Sequence, residues 1–322
     1  MNLTIVYRLT NIANSLDKSF QSLLNQTNKN FELIIIADDT SKSIQKYFAD
    51  INLNGCFKSI KYIKTNQKLG AAYCFNLSLK YLNTPYAYFT DARVVFNKNF
   101  VDGFEKNLDK DNADIFVCNT LDGTILSKIT RKTDYNINTS KLYSMLLGNL
   151  SNKIISTSLF KNNKVEYTSF HHYTFLDTLK LFEHVNKVKV IKSMIVKIFT
   201  NNNPNYNIYD IVDQNNFILS KSHANYYKKN TDDINYVIIR TILFTFLSRI
   251  AIQNKWECNH AFKNAYNYAI EWLKAYIPNW KKNKILSSSN NLDNKKVVGY
   301  LKKFSNQFKT TFYELKKLFK IK

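Results

Sequence analysis

The sequence predicts an α/β fold, a doubly wound and mostly parallel sheet, followed by a C-terminal helical region and a basic amphipathic tail helix. Three observations carry this. Apolar runs of strand length alternate with helix-period stretches through the first hundred residues, the second run is apolar on both faces, and the last 28 residues carry one apolar stripe at helical spacing.

The elements follow in order. Residues 3–7 (LTIVY) read as a buried strand. Asn14 or Ser15 caps a helix whose apolar positions Leu16, Phe20, Leu23 and Thr27 fall at i, i+4, i+7 and i+11. Residues 31–37 (FELIIIA) have the two-sided apolarity of a central parallel strand. Ile44, Tyr47, Phe48 and Ile51 mark a helix, 57–63 a strand, Ala72, Phe75, Leu79 and Leu82 a helix, and 86–90 a strand. Beyond these, 114–119 and 187–191 read as strands, 151–162 and 172–185 as helical, and NNNPNYN from 201 as a boundary. Residues 234–252 and 258–277 read as helices and 283–294 as a flexible joint. The organisation is therefore 1–200 as one α/β domain (1–100 and 101–200 as its halves), 201–294 as a helical region and 295–322 as the tail. On such a sheet ligands sit at the carboxyl ends of strands, which gathers residues 8–11, 38–39 and 91–93 around one crevice.

Composition excludes several classes. The chain has 322 residues, 45% hydrophobic and 15% aromatic, enough for a packed core. With six glycines, at 55, 70, 103, 123, 148 and 299, neither GxxxxGK[ST] nor GxGxxG is present. Four cysteines without CxxC spacing argue for reduced thiols rather than a zinc site or disulfide framework. The N-terminal MNLTIVYRLTN has no charged n-region or cleavage site and is not expected to be a signal peptide, while the scattered cysteines point to a cytosolic compartment. The apolar stretch 234–253 is interrupted by Arg240 and Arg249, which favours a buried or surface-lying helix over a membrane span.

The formal charge is +22, and 41 of the 46 basic residues are lysines. Residues 201–322 carry net +12, against +6 for 1–100 and +4 for 101–200. Lysine excess without arginine-rich or aromatic RNA-binding motifs is not the footprint of a nucleic-acid binder. In the tail, Val297, Leu301, Phe304, Phe308, Phe312, Leu315 and Phe319 form one helical stripe. Lys302, Lys309, Lys316 and six further lysines, against Glu314 alone, give it net +8. Phe304, Phe308, Phe312 and Phe319 suit the acyl boundary of a membrane, and the lysines suit anionic headgroups. A helix docked on its own domain would show the same stripe without needing that charge. The expected location is peripheral, on the inner face of the cell membrane.

The N-terminal text resembles family 2 glycosyltransferases of the GT-A fold. The resemblance rests on 9–27 (LTNIANSLDKSFQSLLNQT), 30–41 (NFELIIIADDTS) and 66–92 (NQKLGAAYCFNLSLKYLNTPYAYFTDA). These parallel the family's VYN-type turn, SILxQT helix, FEIIIVDDGS strand end, NxGxxxARN helix and EYIxFLDxD strand end, without gaps over about 3–95. A continuation through 150–200 resembles the acceptor half. The resemblance implies a Rossmann-like sheet and transfer of a sugar from a nucleotide-sugar, a UDP-sugar, with inversion, to a lipid or polysaccharide-precursor hydroxyl. It places Asp38 at the nucleobase, Thr10 and Asn11 on the loop flanking base and ribose, and Asp91 at ribose and metal. The family's metal is Mg²⁺ or Mn²⁺.

The departures are specific. Where the family has the second DxD carboxylate this chain has Arg93, which cannot coordinate a cation but can pair bidentately with a diphosphate. The ARN arginine is Tyr73, and the DDGS turn reads Asp39–Thr40 without glycine. The family's Glu-Asp pair, whose Asp is the general base, falls on Tyr173–Thr174, and neither deprotonates a hydroxyl at neutral pH. His171 and His172 immediately precede that pair and Asp177 follows one turn on, so these are the candidates for the base. The alternative is a catalytically inactive relative that binds a nucleotide, a lipid or a partner enzyme.

Overall fold

The computed structural model describes residues 1–9, 13–38, 56–108, 112–121, 135–136, 141–147, 150–167, 175–199, 208–253 and 259–287. The predicted helix around 44–51 and the tail 295–322 lie outside these residues.

Two compact units are present. The first comprises 1–139 and 148–200, the second 140–147 and 201–322. In the first unit the chain runs β1 (Leu3–Leu9), α1 (Ala13–Leu24), β2 (Glu32–Ala37), β3 (Ser59–Lys64), α2 (Ala71–Leu79), β4 (Tyr86–Asp91), β5 (Val94–Phe96), α3 (Phe100–Leu108), β6 (Ile115–Leu121) and β7 (Tyr135–Asn136). After an excursion into the second unit it continues with β8 (Lys153–Ser156), α5 (Thr157–Asn163), α6 (Phe175–Phe182) and β9 (Val188–Ile198). The excursion contains α4 (Leu142–Leu146).

The sheet order is β3-β2-β1-β4-β8-β6-β9-β5, with β7 paired to β9. The first four strands in that order are all parallel, as the two-sided apolar runs require. β8 then enters antiparallel to both β4 and β6, while β6 and β9 are parallel. The register sets Arg8 beside Asp91 and leaves Leu9 opposite Ala37, so the strand ends finish level.

Two predicted elements change character. The helix read at 151–162 is instead strand β8 and then helix α5: the adjacent β-branched Ile154 and Ile155 are fully buried between two neighbouring strands, and the helix starts only at Thr157. The joint expected from 283 begins as a short helix, where the Asn283 Oδ1 accepts from the backbone of Ile285 and caps the turn.

The sheet core is aromatic. Tyr88 packs edge-on against Phe96 and Phe100 at 5.3 Å, and Tyr86 against Phe104 and Phe116 at about 5.5 Å. The phenols find partners: Tyr7 donates to the Ser19 Oγ at 3.0 Å, and Ser19 donates to the carbonyl of Val94 at 2.5 Å. One contact chain therefore locks β1, α1 and β5 together.

The second unit is helical: α7 (Asp210–Ser220), α8 (Asn225–Lys229), a long helix α9 built from Thr231–Arg240, a π-helical segment Thr241–Phe246 and Leu247–Gln253, then α10 (Asn259–Tyr276) and α11 (Lys284–Ser287). Thr231–Ala251 is long and apolar enough to cross a membrane, yet 83% of that window is buried within the protein. Arg240 within it is only 5% exposed. Asp233 accepts from the backbone of Tyr143 (2.8 Å) and Ser144 (3.0 Å), capping α4 and so holding 140–147 in this unit.

Lys153 is fully buried on β8, donating to the Asn152 Oδ1 at 3.0 Å beside the Cys118 thiol. Burial pushes its amine down from 10.5 to about 7, against a small opposing contribution from Cys118. The folded value lies below the unfolded one, so unfolding takes up a proton between about pH 7 and 10.5, and stability rises with pH across that window. Lys153→Met is expected to stabilise the protein by about 1–3 kcal/mol at pH 7 and to flatten the rise. Urea denaturation at pH 7 and 9.5 measures both, and an unchanged slope in the variant would show that Lys153 is not its source.

Candidate active site

Four charged side chains alternate in sign across the carboxyl ends of three adjacent strands. Arg8 is the penultimate residue of β1, Asp38 follows β2, Asp91 ends β4, and Arg93 follows two residues later. Parallel neighbours in level register must deliver their terminal side chains to one rim, and these do.

Asp38 is the most enclosed. Its side chain has no exposed surface, and its Oδ2 accepts from Arg8 Nε at 2.8 Å and Nη2 at 2.6 Å. The backbone of Leu69 donates to Oδ1 at 2.6 Å and that of Gly70 to Oδ2 at 3.2 Å. Gly70 has φ +88°, a conformation strained for any residue with a Cβ, and it stands immediately before α2. The carboxylate thus joins the end of β2, the start of α2 and the guanidinium of β1. Buried Cys74, on the first turn of α2, lies against this pair, and burial followed by the charge of Asp38 pushes its thiol up to about 12 despite Arg8.

Asp91 and Arg93 form the second pair. Arg93 Nε lies 2.9 and 3.0 Å from the two Asp91 oxygens, Nη2 donates to Oδ2 at 2.6 Å, and the Arg93 backbone donates to Oδ1 at 2.9 Å. Burial alone would raise the Asp91 carboxyl. The charge and hydrogen bonds of Arg93, together with the charge of Arg8, outweigh it and hold Asp91 below its usual value. Asp91 is therefore ionised at neutral pH and is flanked by two guanidiniums.

Among the described residues this arrangement offers a divalent cation no ligand set. Both oxygens of Asp91 already accept from Arg93, and a cation there would stand against a fixed guanidinium charge. Among the described residues no group of three or more His, Cys, Asp or Glu converges on a point.

The sequence-predicted positions separate as follows. Asp38, Asp91 and Arg93 share the rim. Asp38 works here as the anchor of Arg8 and Gly70, and with no exposed side-chain surface it meets a nucleobase only if its neighbours move aside. Thr10, Asn11, His171 and His172 lie outside the described residues, as do Phe304, Phe308, Phe312, Phe319, Lys302, Lys309 and Lys316. Asp177 belongs to α6, but its side chain also lies outside them. The strand-end rule already gathers Arg8 at this crevice; its pairing with Asp38, and the parts of Gly70 and Cys74, come from the structure. The signal for Arg8 was available: a chain with 41 lysines keeps only five arginines, and two stand at adjacent strand ends. The planar fork lets Nε and Nη2 of one guanidinium donate together to the Asp38 Oδ2, which a lysine amine does not reproduce.

The two pairs differ in burial and should differ in energetic weight. Asp38→Ala orphans a guanidinium of 13% exposure and two backbone amides. It is expected to cost about 3–5 kcal/mol. Arg93→Ala leaves Asp91, 13% exposed, with the backbone amide of residue 93 and the charge of Arg8, and is expected to cost less, about 1–2 kcal/mol. Chemical denaturation of the two variants compares them directly; equal losses would contradict the anchoring role of Asp38.

Comparisons with known proteins bear on the family and the fold. The sequence profile of Glycosyl transferase family 2 matches residues 4–168. No curated protein matches the chain by sequence. Among solved structures, S. aureus TarS residues 1–349 superpose with a TM-score of 0.65 at 14% identity, covering 99% of this chain and 90% of that one. The same TarS fragment in complex with UDP-GlcNAc gives 0.67 at 13% identity, covering 99% and 91%. The mannosyltransferase PcManGT from Pyrobaculum calidifontis, in complex with GDP-Man and Mn²⁺, gives 0.53 at 9% identity, covering 95% and 88%. At these identities the likeness is one of fold, the GT-A fold. The family match, in contrast, takes in just over half the chain and every strand end that carries the charged rim, and on that ground the chain belongs to glycosyl transferase family 2.

Proposed function

We propose that this protein transfers a sugar from a nucleotide-sugar, a UDP-sugar, to a hydroxyl of a membrane lipid or polysaccharide precursor, and that arginine takes the place of the family's metal. The observation that carries the reading is the pair of guanidiniums, Arg8 and Arg93, flanking an ionised carboxylate at the sheet's ligand-binding edge. The family match and the likeness in fold to TarS, solved with UDP-GlcNAc and with UDP, support a nucleotide-sugar donor.

In this reading the acceptor oxygen attacks the anomeric carbon as the bond to the diphosphate breaks, inverting the configuration. Negative charge grows on the leaving diphosphate. Arg93, the more exposed of the two arginines, turns from Asp91 toward it and stabilises that charge without a proton to move. The acceptor proton passes to His171 or His172, with Asp177 as the other candidate base. The tail holds the enzyme on the inner membrane face through its phenylalanine stripe and lysines.

A second reading draws on one observation: both described rim carboxylates, Asp38 and Asp91, are engaged by arginines, as in a relative that has kept the fold and nucleotide site but lost turnover. Release of UDP from UDP-sugars over a membrane extract separates the two. The first reading expects turnover that falls at least about a hundredfold in Arg93→Ala and in at least one of His171→Ala, His172→Ala and Asp177→Ala. Turnover unchanged in Arg93→Ala would remove the arginine from the chemistry, and its absence in the unaltered chain would favour the second reading. Removal of 295–322 is expected to abolish sedimentation with anionic vesicles while leaving UDP binding intact.

A further inference from the structure

The second unit carries an aromatic seam between α7 and α10. Outward positions along the first helix are Tyr209, Asp213, Asn216 and Phe217, spaced i, i+4, i+7 and i+8. Along α10 the facing positions are Tyr268, Trp272 and Tyr276, one per turn. The helices are tied where Trp272 Nε1 donates to the Asn216 Oδ1 at 3.1 Å. Phe246 of α9 lies beneath, its ring 5.8 Å from that of Tyr209 and 6.2 Å from that of Tyr268, and Tyr276 lies on Trp272 at 4.9 Å and 38°.

About half of each tyrosine remains at the surface: Tyr209 is 54% exposed, Tyr268 44% and Tyr276 55%. The Tyr268 phenol is raised by burial and then by Tyr276, Asp213 and Tyr209, so these groups lie within electrostatic reach of one another. Folding alone does not require such a surface, since aromatic area left in water contributes nothing to the core.

Charge narrows the choice of partner. In a chain of net +22, none of Tyr209, Asp213, Asn216, Phe217, Tyr268, Trp272 or Tyr276 is basic, and the one full charge among them is that of Asp213. Lys221 lies over the Phe217 ring at 5.4 Å, at the far end of α7. An anionic lipid or nucleic acid therefore meets a carboxylate where it needs cations. A wholly apolar partner would strip water from Asp213 and three phenols without replacing their hydrogen bonds. A neutral sugar chain satisfies both features, because its C–H faces cover aromatic rings while its hydroxyls donate to the carboxylate and exchange hydrogen bonds with the phenols.

We propose that the α7–α10 seam binds a neutral glycan, with Tyr209, Tyr268 and Tyr276 as stacking platforms and Asp213 as the acceptor for sugar hydroxyls. The site lies within the helical unit and is independent of the donor-binding reading of the strand ends.

The test uses the full chain, titrated with maltoheptaose, chitohexaose and soluble mannan, following the fluorescence of Trp272 and its neighbours. At least one of these binds the unaltered protein. Tyr268→Ala and Tyr276→Ala each weaken that binding by about tenfold and together abolish it. Tyr268→Phe keeps most of it, and Tyr62→Ala, at a 45% exposed tyrosine of β3, changes nothing. The melting temperature and UDP titration of the double variant report the fold and the donor site separately. The proposal is overturned if none of the three glycans binds, if the double variant binds them as well as the unaltered chain does, or if the double substitution instead abolishes binding to phosphatidylglycerol vesicles.

Discussion

The ion pair between Arg8 and Asp38 is the constraint on which the strand-end site depends. Placing a guanidinium and a carboxylate where neither has much water is costly unless every donor and acceptor is matched. Here the match recruits backbone from two further elements: the amides of Leu69 and Gly70 complete the carboxylate, and the positive φ of Gly70 lets the chain turn into α2 at that point. With Arg8 drawn to one side by Asp38, its charge still reaches Asp91 on the other, and Asp91 in turn holds Arg93. The order of charges along the rim follows from the order of the strands, β2-β1-β4, and from their level register.

The proposed function gives that arrangement the task a metal has elsewhere in family 2. A carboxylate pair at the end of β4 would hold a cation, and the cation would carry the diphosphate. Under the proposed function, Arg93 in place of the second acid gives the site its own positive charge, on a side chain whose fork fits phosphate oxygens. Asp91 is then a keeper of that arginine, and its depressed pKa reflects this role.

Much of this was legible in the chain. The two-sided apolar run 31–37 and the spacing of 66–92 gave the parallel half of the sheet, and with it the strand ends where Asp38, Asp91 and Arg93 meet. The second half was harder, because β8 is a four-residue strand whose KIIS text runs straight into a helix, and its antiparallel pairing depends on contacts remote in sequence. The grouping of 140–147 with the helical unit was likewise invisible, since it depends on the Asp233 carboxylate some 90 residues away. Arg8 could be placed at the crevice from the sequence, but its pairing with Asp38 could not: the partner is set by strand register, which one sequence does not display. The seam of tyrosines on α7 and α10 shows in the text only as ordinary aromatic residues, because its meaning lies in which of them stay exposed and which charges stay away.

The central claim is that arginine, not a bound cation, carries the donor's diphosphate. Calorimetric titration with UDP in the presence of EDTA, for the unaltered chain and for Arg93→Ala, tests it most directly. The account predicts binding in EDTA that Mn²⁺ does not strengthen and that the substitution removes. Binding that appears only with Mn²⁺, or that survives in Arg93→Ala, would contradict it.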